Sequence, residues 1–398
     1  MPVLKHESTG ARIAAYRKLR GFTQRGLARQ ACVSYSLLTK VESGHRPATP
    51  ALIAACARAL SVTSFDLTGQ PYLAELRRDR IEELIQPIRA ALDNWDLALE
   101  WEVRPRSIAD LEVDVRRAMV HRRNAQYGSM AQTLPALIDE LVQAAQESAT
   151  PEDRAHLYSL MGDVYRCVHT LAYKLGLIDL GTVALERMAW CAPLSDDPYL
   201  SALRSFLRVQ STFTTGRHDV GLRLVEVTQA QLQESGLDDG RSAALTGALH
   251  LQAAVLAARR HDSQGASERI HAARELAQRT GELPHYGLSW GPTNVVVHAV
   301  STAVDLERPD DAIAEGDPLT FPPDWPRSRE GHHWIDMSRA YLWKGRHDKA
   351  LECLNKARAA APQQARYHPS VRETVEALVR HRRTVPGSLT AFASWVGM

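Results

Sequence analysis

Tyr35, Ser36, Thr39, Lys40 and Ser43 recur at helical spacing, and each carries a hydrogen-bonding group. Leu37, Leu38 and Val41 interleave with them and form the opposite, apolar face of the same helix. A short helix with a wholly hydrogen-bonding outer face fits the major groove of duplex DNA, where base edges present donors and acceptors. That chemistry is recognition without bond making. No His-Glu-x-x-His, Walker loop, Gly-x-Ser-x-Gly or Gly-x-Gly-x-x-Gly occurs in the chain. The adjacent His332 and His333 point to different helix faces, and no cysteine or acid completes a ligand set with them and His347. No metal, no cofactor and no enzymatic activity are therefore expected.

The elements that must present this face are legible. Thr23 can cap a helix that starts at Gln24 and buries Leu27, Ala28 and Ala31. Ser34 can cap the next helix, Tyr35 to Ser43, and Gly44 ends it. Residues 10–68 read as five short helices, closed by Gly69-Gln70-Pro71. The first 70 residues hold ten basic and three acidic side chains, net +7, while the other 328 hold 38 basic and 43 acidic, net −5. A basic head on a mildly acidic body suits a nucleic-acid-binding module joined to a part that does not lie along DNA.

Order and spacing over residues 11–68 resemble the Xre/lambda-repressor family of helix-turn-helix domains. The resemblance rests on Arg17-Lys18-Leu19-Arg20-Gly21-Phe22-Thr23-Gln24, Leu27-Ala28, Val33-Ser34, Leu38, Val41-Glu42-Ser43-Gly44, Arg46-Pro47, and Leu52 through Leu60 with Ser61-Val62. It implies that Gln24, Ser34, Tyr35 and Ser36 meet bases or the adjacent backbone and that Thr39 and Lys40 read bases. It further implies that Arg25, Ser43 and Arg46 hold phosphates, while Glu42 is a paired structural acid. Ala31-Cys32 stands where the family usually has a glycine turn, so a less tight turn is expected. One such domain buries little DNA, so binding to double-stranded operator DNA as a homodimer is expected.

Beyond the head the chain reads as all-α. A helix pair over 73–99 is expected to break near Pro87, with a loop from Trp101 to Arg106. Helices of similar length should follow from about 111 to 383, and Pro386 to Met398 should form a short tail with an apolar end. Arg-His-Asp occurs at 217–219, 260–262 and 346–348, separated by 43 and by 86, with Arg-Pro-Asp at 308–310. A fixed period near 40 points to stacked helical hairpins. In residues 331–364, Trp334, Met337, Ser338, Tyr341, Gly345, Ala350, Leu354, Ala357 and Pro362 match the tetratricopeptide pattern. Gly221/Val225/Thr228 and Ala266/Ile270/Ala273 keep only the second-helix signature. The expected divisions are 1–70 for the DNA-binding head, 71–110 for a helical linker or dimerisation segment, 111–385 for the repeats and 386–398 for the tail. The expected fold is a five-helix head followed by a right-handed helical solenoid.

The architecture is similar to bacterial regulators that join an Xre-type head to tetratricopeptide repeats. That resemblance implies a concave groove binding a signalling peptide, as in quorum sensing, or a small molecule. With the first helix of the sharp repeat at Gly331 to Lys344, the groove should present His332, Ile335, Asp336, Arg339 and Trp343, with Arg339 available to a carboxylate. The preceding hairpin should add Asn294, Val297, His298 and Ser301. Earlier ones should add Arg166, Tyr173, Gln210, Phe213 and His250. Trp290, Trp334 and Trp343 read as packing groups. A protein-binding adaptor, or a regulator whose repeats only dimerise it, would share the same sequence features. The start, Met1 to Glu7, lacks a signal-peptide core, and no run of 18 apolar residues occurs. Five scattered cysteines suit a reducing, cytoplasmic location.

Overall fold

Ser8, Thr23, Ser34, Thr49 and Thr63 each precede a helix, and each side-chain oxygen accepts from the backbone N–H three residues on. In the computed structural model, which describes residues 8–78, 80–97, 104–381 and 387–398, these caps open α1 (Thr9–Leu19), α2 (Gln24–Gln30), α3 (Tyr35–Glu42), α4 (Pro50–Leu60) and α5 (Ser64–Thr68). Their apolar faces meet in one core. Ile13, Leu27, Leu38, Val41, Leu52, Leu60 and Leu67 are all within 2% of complete burial. Truncating any of these leucines to alanine removes about 2–5 kcal/mol of stability.

The chain continues as α6 (Leu73–Arg78) and α7 (Glu82–Asp93). The break between them falls at Arg80, whose φ is +57°, and α7 runs unbroken through Pro87. Pro87 and Glu83 lie on the exposed side of α7, where the carbonyl that proline leaves unpaired can meet water. Ile85, Ile88 and Leu92 bury α7 in the body core. The segment expected as a linker is thus a packed layer. Residues 98–103 of the expected helix end and loop, Pro386 of the tail and the first seven residues lie outside the described residues.

Six helical hairpins follow. They are α8 (Ile108–Arg123) with α9 (Tyr127–Glu147), α10 (Pro151–Leu175) with α11 (Ile178–Cys191), and α12 (Leu200–Thr215) with α13 (His218–Glu234). Then come α14 (Gly240–Arg259) with α15 (Ser263–Thr280), α16 (Pro292–Asp305) with α17 (Pro309–Gly316), and α18 (Arg327–Trp343) with α19 (His347–Ala360). Their lengths are far from uniform, from 8 residues in α17 to 25 in α10. Among the described residues there is no β-strand, only one isolated bridge, Leu283 to Trp290. No described helix is long and apolar enough to cross a membrane.

One turn design joins the two helices of every hairpin. A residue in the left-handed region comes first: Ala125, Gly176, Gly216, His261, Glu307 and Gly345. The next residue, Gln126, Leu177, Arg217, Asp262, Arg308 or Arg346, has φ near −90° and a positive ψ, and the second helix begins after it. The helix cannot continue through a left-handed residue, so the chain folds back and the two helices pack. The fourth, eighth and eleventh positions after the joint are small or apolar and buried. They are Gly221, Val225 and Thr228 in α13, Ala266, Ile270 and Ala273 in α15, and Ala350, Leu354 and Ala357 in α19.

The tripeptide period is less regular than the turn. Arg217 stands at the joint itself, whereas Arg260 stands two residues before it, because Asp262 is the joint of its hairpin. The interval from 260 to 346 spans two hairpins, with Arg308 at the joint between. The sharp repeat holds, although α18 begins at Arg327, directly after Pro326, and not at Gly331. Trp290 is fully buried, and Trp334 and Trp343 pack against the core.

The expected tail is structured. After α20 (Pro362–Tyr367) and α21 (Pro369–Arg380), α22 (Gly387–Trp395) packs on α21, and Leu389, Phe392 and Val396 are buried. Their apolar area is what removes the segment from solvent.

Candidate functional site

The outer face of α3 is open. Ser34, Tyr35, Ser36, Lys40 and Ser43 are exposed, as is Arg25 on α2, while Thr39 and Gln24 are half-buried. Several polar atoms are already engaged. The Ser34 hydroxyl accepts from Leu37 N–H, Thr39 donates to the Tyr35 carbonyl at 2.9 Å, and Ser43 Oγ lies 2.7 Å from His45 Nδ1. The Arg25 guanidinium lies over the Tyr35 ring, 5.5 Å from its centroid, and so joins the two helices on the exposed face.

Behind this face Glu42 ties three helices together. Its carboxylate accepts from Arg17 Nε at 2.7 Å, Arg17 Nη2 at 3.0 Å and the Gln24 amide at 2.8 Å. Glu42 is therefore a buried, paired acid, and it holds Gln24 at the start of α2. The turn between α2 and α3 is closed despite the missing glycine. Val33 N–H donates to the Ala28 carbonyl at 2.9 Å, and Cys32 takes the left-handed conformation at φ +56°. The departure at Ala31-Cys32 thus changes the strain of the turn and not its closure.

The head is seated on the repeats. Arg58 donates to the Gly216 carbonyl at 3.2 Å, Ser64 donates to the Thr214 carbonyl, and Ala48 N–H donates to the Glu373 carboxylate at 3.1 Å. A Cβ at Gly216 would lie 2.7 Å from the Ala54 carbonyl oxygen, so only glycine allows this approach. Arg46, expected to hold a phosphate, instead pairs with Glu307 of the α16–α17 turn at 2.7 Å.

Beneath the head, a channel runs through the inside of the solenoid. One part lies under α4 and α5, with Ile53, Ser64, Phe65 and Thr68 forming its roof and Tyr367, His368, Asp336 and Arg339 its floor. The other part is broader, with an empty volume of about 1230 Å³, solvent at its mouth included. Tyr173, Lys174, Phe213, Arg259, Ser301 and His332 line both parts, so the two are continuous.

Of the residues expected on the concave face, Arg166, Tyr173, Gln210, Phe213, Asn294, His298 and Ser301 line the broad part, and His332, Asp336 and Arg339 line the part under the head. His250 does not line the channel. Gln252 does, because the turn ahead of α15 is offset by two residues, about 200° around a helix. Val297 and Ile335 belong to the buried core. Arg339 is already paired with Asp336 at 3.1 Å and Asp305 at 3.5 Å, and Arg259 holds Asp305 at 2.9 Å. Arg339 therefore has an internal carboxylate partner.

Sequence reasoning missed Arg122, Lys174 and Arg329. Arg122 sits in the last turn of α8, where a cation is the ordinary complement of the helix dipole, so its spacing carries no signal. Burial, then repulsion from Arg329, brings Lys174 down to about 8. Burial, then repulsion from Arg122, brings Arg166 down to about 9 and Arg329 to about 10. His298, His332 and His368 are held well below the usual imidazole range by burial and by these neighbouring cations. Among the described residues no group of three or more His, Cys, Asp or Glu is placed to hold a metal.

A helix-turn-helix family profile matches residues 13–67, which covers α2 and α3 and their supporting helices. The uncharacterised HTH-type transcriptional regulator YazB of Bacillus subtilis (strain 168) is 38% identical over 64 residues, 16% of this chain and 93% of that protein. The crystal structure of Bacillus thuringiensis PlcR in complex with the peptide PapR7 and DNA aligns with 88% of this chain and all of that one, at 13% identity and a TM-score of 0.38. With the head's sequence and its capped helices in agreement, the chain belongs to the helix-turn-helix family of DNA-binding transcriptional regulators.

Proposed function

We propose that the chain is a signal-responsive regulator. Gln24, Arg25, Ser34, Tyr35, Ser36, Thr39, Lys40, Ser43 and Arg46 form its operator-binding surface, and the interior channel takes a small molecule or short peptide. The observation that carries this reading is the shared wall. Ile53 belongs to the head core that also holds Leu38 and Val41 of α3, and with Phe65 and Thr68 of α5 it roofs the channel. A ligand that changes the roof changes how the head is held, which is the differential contact that coupling between two sites requires. Two copies binding together would read a two-fold operator with half-sites about 10 base pairs apart.

The test begins by selecting duplexes from a random pool with the full chain. Apparent affinity for the selected duplex is then measured with and without the deproteinised small-molecule fraction of a cell extract. The reading expects a several-fold change in wild type and none in Gln252→Leu. Gln252 is 2% exposed and both its amide atoms lack partners, so leucine should be tolerated there. Equal affinity with and without the fraction, for every extract tried, would end the reading.

A further inference from the structure

Besides Arg123 and the Asp305-paired Arg259, four basic side chains converge on the broad part of the channel without acidic partners. Arg122 comes from α8, Arg166 and Lys174 from α10, and Arg329 from α18. Arg166 is 1% exposed, and its Nε and Nη1 have no hydrogen-bond partner. Arg122 reaches only the carbonyls of Tyr286 and Gly287, at 3.4 and 3.2 Å, and leaves Nε unpartnered. Among the described residues none of the four forms an ion pair, and no Asp or Glu lines this part of the channel. Asp163 is the acid whose field reaches Arg122 and Arg166, and it pairs with neither. Asp336, which faces Lys174, is already paired with Arg339.

The four also repel one another. Arg122 acts on Arg166 and on Arg329, and Arg329 acts on Lys174, so they occupy one neighbourhood. Cations held together and unpaired, Arg166 buried and the other three half-buried, are unfavourable, and folds retain such groups where something else complements them. Guanidinium groups with free N–H donors match the planar oxygens of a carboxylate or the oxygens of a phosphate. Beside them, Gln252 has both amide atoms unpartnered and Asn294 has its Oδ1 unpartnered, neutral groups suited to the rest of a polar ligand.

We propose that the broad end of the channel is an oxyanion site, in which Arg122, Arg166, Lys174 and Arg329 hold the carboxylate or phosphate group of the ligand. This rests on the reading that the channel takes a ligand, and it names that ligand's chemistry. The ligand enters with its anion toward the broad end, and its remainder extends under the head past Phe213 and Tyr173.

The test is thermal unfolding of the full chain at fixed ionic strength made up with sodium chloride. Three probes are compared: inorganic phosphate, trialanine with a free C-terminus, and trialanine amide. Wild type should gain at least about 2 °C in Tm from phosphate or from free trialanine, and nothing from the amide. A gain from phosphate alone assigns a phosphate group, and a gain from free trialanine that its amide lacks assigns a chain-terminal carboxylate. Arg166→Met should lose either gain while its own Tm without probe stays equal to wild type or rises, since an unpaired buried charge has been removed. A merely structural arginine would instead lower the Tm and leave the probe response intact. Lys174→Met, at a half-buried position, repeats the comparison should Arg166→Met fold poorly. Equal gains in wild type and both variants, or no gain from any probe, overturn the proposal. In the latter case an extract-dependent change in DNA affinity would still stand, which separates failure of the oxyanion site from failure of the sensing reading.

Discussion

Arg46 has two competing partners in this account, a DNA phosphate and Glu307, and the competition can be measured. The Arg46–Glu307 pair is 2.7 Å long, with side chains 35% and 33% exposed. Pairs of that exposure contribute about 0.2–1 kcal/mol. Glu307→Gln should therefore free Arg46 and raise operator affinity by about 1.5- to 5-fold. Glutamine is chosen because Glu307 sits at φ +60°, and glycine there would also relax the turn. Arg46→Ala should weaken binding to all sequences alike and lower the slope of log K against log salt by about 0.9, one phosphate contact. In the Arg46→Ala background, Glu307→Gln should do nothing. The assay is fluorescence anisotropy of a labelled, selected duplex across a salt series. Weaker binding by Glu307→Gln, or an unchanged salt slope for Arg46→Ala, would refute the competition.

Three further outcomes follow from single sites. Lys40→Ala should relax base preference at one or two operator positions, which repeated selection would reveal; an unchanged consensus would mean that Lys40 does not face the bases. Cys32→Gly should stabilise the chain by about 0.5–1 kcal/mol, the left-handed penalty relieved less the entropy glycine adds to the unfolded chain, and a lower Tm would count against the turn assignment. His333 is fully buried with both ring nitrogens unpartnered, and burial lowers its pKa to about 4, below the unfolded value near 6.5. The folded imidazole stays neutral down to about pH 4 while the unfolded one protonates below about 6.5, so stability is lost as pH falls toward 4, by about 2 kcal/mol between pH 7 and 5. His333→Phe should remove that share of the acid sensitivity in denaturant titrations, and an unchanged pH dependence would contradict it.

The head was legible because its signals are local. Thr23 and Ser34 cap the helices they were expected to cap, and Leu38 and Val41 bury as their spacing requires. The second-helix signatures were legible for the same reason, since small residues at fixed offsets are needed wherever two helices cross closely. What failed was extrapolation. A two-residue offset between Arg217 and Arg260 moved the channel position from His250 to Gln252, because a helix turns by about 100° per residue. Pro87 did not break its helix, since the group it frees faces solvent. The cationic cluster was invisible because Arg122, Arg166 and Arg329 come from three helices that only the tertiary fold brings together.

The central claim is that channel and head share a wall and therefore a state. Hydrogen–deuterium exchange of the full chain, empty and loaded with the small-molecule fraction, tests this most directly. The account predicts that exchange in α4 and α5, residues 50–68, changes together with α10, α14 and α18, and that Gln252→Leu abolishes both changes. Protection confined to the channel helices, with α4 and α5 unaltered, would show that the head does not feel the ligand and would contradict the account.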